Sequence, residues 1–318
     1  MHGWPDLLGD WSTVMHGEWS RVFAGALLGA LLLSGCSGDK PEVEPASTPG
    51  VVSPAPTFDP ALEPAAAVLA LVPDDAETLT VTDFDQVRAE LGMDGLTGHS
   101  TPEEVATFWQ RADQERPLLS SGMLRSDDAR LSEKYGFTEV DVAWEAHFFD
   151  GGGRETGWVL TFRDGTDMAQ VARAAEDAAT PVHGGDVDAA ALMVTRGTTA
   201  DPADSWAADP ELVALVGAPA NATYVARHCI PGALSADVDE LGAYSVQFQG
   251  GLVTARLGEG RHDLFDRMRL GAGDPVFAAT YTAGVADPTS GRIGYEMADP
   301  AAAARLALQH DLPFATCG

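Results

Sequence analysis

Apolar positions recur in short runs along residues 65–318, and the spacing of those runs switches between the periods of strand and helix. Residues 79–82 predict a strand. Asp83 follows as an N-cap with Gln86 three positions on, a capping-box spacing, and predicts a helix to about residue 91. Thr101 caps a second helix, with Pro102 at its first position and Glu103 and Glu104 in its first turn. A third is predicted over residues 127–135. Residues 140–149 and 156–162 then predict a hairpin closed by the Asp-Gly-Gly-Gly of residues 150–153. A helix over 167–178, a strand over 191–195 and a polar stretch over 196–209 come next. A second hairpin pairs 243–248 with 252–257 across Gly250 and Gly251, and a helix covers 261–270. A third hairpin pairs 276–284 with 292–297, and Asp299 with Pro300 opens a last helix over 301–309. Hairpins that alternate with helices predict an α+β body, an antiparallel sheet covered by helices. A shift of 134 residues sets Val142 on Val276, Thr156 on Ser290, Gly157 on Gly291 and Val159 on Ile293. The pattern predicts either two similar halves or one continuous sheet.

The strongest signal precedes this body. Residues 22–33, VFAGALLGALLL, are an unbroken apolar run. As a helix they would rise about 18 Å, short of the ~30 Å hydrocarbon core, which suits the apolar region of a signal peptide. The run ends in Leu33-Ser34-Gly35-Cys36, and this motif resembles the lipobox of bacterial lipoproteins at all four positions. The resemblance implies a diacylglyceryl group on the Cys36 thiol, cleavage between Gly35 and Cys36, and attachment of the protein to the membrane through that lipid. Each buried methylene adds ~0.8 kcal/mol, so two long chains make a stable anchor. The region before residue 22 holds Arg21 against Asp6, Asp10 and Glu18. A signal peptide opens on a basic segment, so Met15 is the better start, and residues 1–35 are read as the signal.

Composition changes again after Cys36. Seven of the 20 prolines fall between residues 37 and 64, among Ser, Thr, Gly and Glu. This predicts an extended tether over residues 36–64. The body over 65–318 carries 17 cations and 40 anions. Such a charge argues against nucleic-acid binding and against a body lying on an anionic leaflet.

Candidate chemistry is sparse. In an oxidising exported compartment, Cys229 and Cys317 are an even pair and predict a disulfide. A metal set of His228, Cys229, His310 and Cys317 is the sharper alternative. The adjacency of His228 and Cys229 and the lack of a Cys-x-x-Cys argue against it, and no metal or cofactor is expected. The Asp-x-Asp pairs at Asp83/Asp85, Asp186/Asp188 and Asp237/Asp239 read as caps and turns. Asn221-Ala222-Thr223 reads as a chance sequon. His147, on a predicted strand, shares a face with Glu145 and Phe149, where it is either a packing residue or a general base beside Glu145. Trp109, Trp144 and Trp158 read as core. Trp206 lies in the polar stretch, where an aromatic side chain can contact a ligand.

The chain therefore reads as an extracytoplasmic protein anchored to the cell membrane through lipid on Cys36, binding or scaffolding a small ligand or an envelope protein. An envelope hydrolase with a spatially assembled site and a folded spacer are the alternatives. Intact-mass analysis of protein extracted from its own membrane is expected to show a chain that begins at Cys36 and carries diacylglycerol. A mass retaining earlier residues and no lipid would overturn the anchor.

Overall fold

Strand β1 (Thr78–Asp83) alternates Thr78, Thr80 and Thr82 with Leu79 and Val81, and every one of these side chains is buried. A strand buried on both faces belongs in the middle of a sheet. The computed structural model, which describes residues 57–232 and 238–318, places it there. β1 pairs on one side with β2 (Val142–Phe149) and on the other with β6 (Ala222–Ala226), antiparallel in both cases. The sheet grows outward from this centre. On the first side follow β3 (Glu155–Phe162), β5 (Met193–Arg196) and the edge strand β4 (Asp186–Asp188). On the second follow β7 (Tyr244–Gln249), β8 (Leu252–Arg256), β10 (Arg292–Met297) and the edge strand β9 (Tyr281–Asp287). The body is thus α+β, with one continuous antiparallel sheet of ten strands.

Helices cover the sheet unequally. Over one face lie α2 (Phe84–Leu91), α3 (Pro102–Glu115), α4 (Asp128–Tyr135) and α5 (Met168–Glu176) on the first half. On the second lie α7 (Leu264–Ala272), α8 (Pro275–Thr280) and α9 (Pro300–Leu308). The expected caps form. Asp83 accepts from the Gln86 N–H at 2.9 Å, Thr101 and Glu104 close a reciprocal capping box, and Asp299 accepts from the Ala302 N–H at 2.9 Å. The opposite face, around Leu79, Val81, Trp144, Ala146 and Phe148, is covered by α1 (Pro64–Ala67), by the turns around residues 202–208 and by α6 (Pro210–Ala214).

On the helix-covered face the apolar residues form two separate clusters, one around Phe108, Trp109, Trp158 and Phe162, the other around Tyr244, Phe248, Phe277 and Phe314. Between them runs a polar seam made of Thr78, Thr80 and Thr82 on β1 with Glu145 and His147 on β2. α3 from the first half meets α9 from the second.

The structure differs from the sequence reading at several places. Val276 is helical, because Asp274 accepts from the N–H groups of both Val276 and Phe277 (2.8 and 2.9 Å) and Pro275 suits the first turn. The hairpin arm starts only at Tyr281. Val142 therefore begins a strand where Val276 lies in a helix, and Gly157 sits within β3 where Gly291 turns with φ 64°. The 134-residue register between the two halves therefore does not hold. The central strand β6 is not among the predicted elements. Trp206 is fully buried against Val72 and its neighbours rather than exposed on a loop, since its backbone N–H bonds to the Val72 carbonyl and draws the segment onto the sheet. No ligand touches it while that segment is in place.

Among the described residues no helix is long and apolar enough to cross a membrane. The predicted signal peptide, with Gly35 and Cys36, and the predicted tether as far as residue 56 lie outside the described residues. Cys229 and Cys317 form a disulfide with Cα atoms 5.0 Å apart, across a separation of 88 residues. It fastens the end of β6 to the tail, which the fully buried Arg267 also holds through the carbonyls of Phe314 and Thr316 (2.9 and 2.8 Å). Closing a loop of this length is worth about 4–5 kcal/mol in the chain-entropy account. Cys229→Ser with Cys317→Ser is therefore expected to lower the thermal midpoint markedly in calorimetry, with the Arg267 bonds keeping the variant folded at room temperature.

Candidate functional site

A cavity of about 710 Å³ opens at one end of the seam. Its floor is the sheet itself, through Thr78 and Thr80 of β1 and Tyr224 of β6. Its walls are the β2–β3 turn, the end of β6 at His228 and Cys229, and the end of α9 at Leu308 and His310. The turn wall is built by Asp150, whose carboxylate accepts from the N–H groups of Gly152 and Arg154, both at 3.0 Å. Facing it, the His228 imidazole lies 3.0 Å from the Glu77 carboxylate. A larger concavity of about 1010 Å³ lies between α4 and α5. Two of its cations are paired, Lys134 with Asp177 at 2.7 Å and Arg163 with Asp85 at 3.1 Å, and no non-glycine residue in its lining has a positive φ, so the seam cavity is the better site.

His310 marks this cavity. It follows α9 with φ 56°, a left-handed conformation that glycine normally supplies at this position. The helix end around it is a Schellman closure, with the Asp311 N–H on the Leu306 carbonyl (2.9 Å) and the His310 N–H on the Ala307 carbonyl (3.1 Å). A β-carbon at this position costs about 1 kcal/mol. The His310 Nδ1 lies 3.3 Å from the Tyr224 hydroxyl, and the two rings meet edge to face, 6.0 Å apart at 88°. Burial pushes the Tyr224 phenol above its ordinary value, so at neutral pH it is a hydrogen-bonding hydroxyl and not a phenolate.

His147 lies beside this cavity, on the rung paired with Thr80. It shares a face with Glu145, as alternation predicts, with its Nε2 3.6 Å from Glu145 and its Nδ1 3.1 Å from Glu155. Burial is the strongest single influence and works against the imidazolium. The hydrogen bonds and charges of Glu145 and Glu155 outweigh it and raise the group to about 9. At neutral pH His147 carries its proton and is a cation in the seam. A general base would need the free imidazole.

His228, Cys229 and His310, three of the four residues of the metal alternative, do line one cavity. The sulfurs of Cys229 and Cys317 are committed to the disulfide. Among the described residues no group of three His, Cys, Asp or Glu side chains is disposed to hold a metal ion. Tyr224 and the strain at His310 are invisible in the sequence, where the only hint is a non-glycine residue after a strong helix signal. Comparison with family models, with curated proteins and with solved structures finds no match to this chain.

His310→Gly relieves the left-handed backbone while removing the contact to Tyr224. The variant is expected to melt no lower than the wild type in calorimetry, whereas His310→Ala, which keeps the strain and loses the contact, is expected to melt lower.

Proposed function

We propose that this protein is a lipid-anchored extracytoplasmic binding protein whose α+β body takes a small polar ligand in the seam cavity. The lipobox-like motif at Cys36 and the proline-rich tether support the anchor and the location. The observation that carries the binding reading is the strained His310 held against Tyr224 over a hydroxyl-lined floor. Strain kept at one residue of a cavity wall is a mark of function.

The lining limits the ligand. It holds the carboxylates of Glu77 and Asp150 and two imidazoles, and neither Lys nor Arg. The chain's formal charge of −29 adds a field of the same sign. Anionic ligands are disfavoured, and a neutral or cationic polar molecule suits the hydroxyls of Thr78, Thr80 and Tyr224. Base catalysis has less support, because Tyr224 and His147 are both held in protonated forms.

Mass spectrometry of the protein from its own membrane, native and then denatured, tests this reading. The wild type is expected to carry extra mass that leaves on denaturation, and Tyr224→Phe with His310→Gly to carry none. Equal native and denatured masses in the wild type, unchanged by incubation with extracts of its own cells, would reject it.

A further inference from the structure

The face of the sheet opposite the helices is covered only in part. α1, the turns around residues 202–208 and α6 lie over its centre. The cover reaches β7, where Ser245 is buried with its hydroxyl donating to the Leu215 carbonyl at 2.6 Å, and where Gln247 is 5% exposed. Beyond β7 the face opens. Thr254 and Arg256 of β8 are half-buried, and Arg292 and Glu296 of β10 are exposed. Two cross-strand rows lie here. In one, Ser245 pairs with Arg256, Arg256 with Arg292 and Arg292 with Asp287. In the next, Gln247 pairs with Thr254 and Thr254 with Gly294. Alternation points both rows to the same face, since Val246, Ala255 and Ile293 between them turn into the second core.

Two arginines thus stand directly opposite each other, with β-carbons about 5 Å apart, an arrangement in which like charges repel. Arg256 gives its Nε–H to Gln247 Oε1 at 3.0 Å, and among the described residues neither guanidinium is ion-paired. Burial, and then the charge of Arg292, hold Arg256 below its ordinary value. Asp287, the one acid of the row, is turned to the Ser290 hydroxyl and the Thr289 N–H (2.5 and 3.1 Å). Glu296 faces the same way two rows off. The Gln247 amide adds a donor. Its Oε1 is taken by Arg256, and its Nε2 is buried with no hydrogen-bond partner among the described residues. A reversed amide would set Nε2 against the Arg256 Nε–H, donor against donor, so the orientation is fixed. A buried amide nitrogen without an acceptor is rare. The patch holds positive charge and free donors and lacks an acceptor.

We propose that Arg256 and Arg292, with Gln247 at their base, are a binding site for a phosphoryl group on the open face of the sheet. Arginine presents paired N–H groups that match phosphate oxygens. Two guanidinium charges suit a dianion, and a phosphate monoester carries about −1.5 to −2 at neutral pH. The chain's formal charge of −29 opposes any anion. Solvent screens that field beyond about 8 Å at physiological ionic strength, whereas the arginines act at contact. The site is separate from the seam cavity, which lies on the helix-covered face, and does not depend on the function given to that cavity. A soluble phosphate ester and a lipid headgroup both offer the group.

Glycerol 3-phosphate added to the full chain at constant ionic strength, with chloride as the control, tests this. The ester is expected to shift the Arg256 Nε–H and Gln247 Nε2 resonances saturably, with a Kd below about 1 mM, and to raise the thermal midpoint. Arg256→Gln with Arg292→Gln is expected to bind at least about tenfold more weakly. If that variant does not fold, Arg292→Gln alone, at an exposed position, is expected to show the same weakening. Resonances that move equally in ester and chloride, or a folded variant that binds like the wild type, overturn the site. Vesicles of phosphatidylcholine with phosphatidic acid distinguish the sources. Vesicles that displace the bound ester place the phosphoryl group on a lipid, and vesicles that leave it bound place it on a soluble molecule.

Discussion

A row of three threonines on the central strand is the constraint around which this molecule is arranged. Thr78, Thr80 and Thr82 point toward the helices from the middle of a ten-stranded sheet. An unbroken apolar layer there would strand their hydroxyls. The helix layer divides instead into two cores, and the gap is filled by groups that can bond. The Ser120 backbone covers Thr82, a cavity opens over Thr78 and Thr80, and β2 contributes Glu145 and His147 alongside. The cavity and the two-core layout are two answers to one problem.

This also explains one of the strained residues and several of the unusual charges. The opposite face of β1, built on Leu79 and Val81, is apolar and ordinary. Toward the seam lie a histidine in a glycine conformation, a glycine that no other residue can replace, and glutamates with no water to face. Natural structures depart from local rules mainly where something besides stability is selected. Two of these departures, His310 and Gly122, stand along one polar strip, while Leu192 (φ 51°) and Ala283 (φ 50°) take the same left-handed backbone near the outer strands.

Much of the fold was legible because its signals are local. Asp83, Thr101 and Asp299 announce helices through hydrogen bonds three residues long, and the Gly-rich turns announce hairpins. β6 was not, because its five residues, Ala-Thr-Tyr-Val-Ala, are buried on both faces and show no alternation that a short apolar run could reveal. Val276 was misread because a β-branched residue outweighed the Asp-Pro cap before it. Of the site, the face shared by Glu145 and His147 follows from the period of a strand. The approach of His310 to Tyr224 joins positions 86 residues apart and leaves no pattern in sequence. The buried position of Trp206 is likewise a tertiary fact.

The outward growth of the sheet from β1 sets an order of assembly. Everything on one side of β1 lies between residues 142 and 196, and everything on the other between 222 and 297. A chain emerging from its amino end can complete the first side while β1 still presents an open edge, its hydrogen-bonding groups unpaired until β6 arrives about 140 residues later. Such an edge invites pairing with a neighbouring chain. The half-built molecule is most vulnerable along its own future centre, and the last steps of folding turn its most exposed line of backbone into its most protected one.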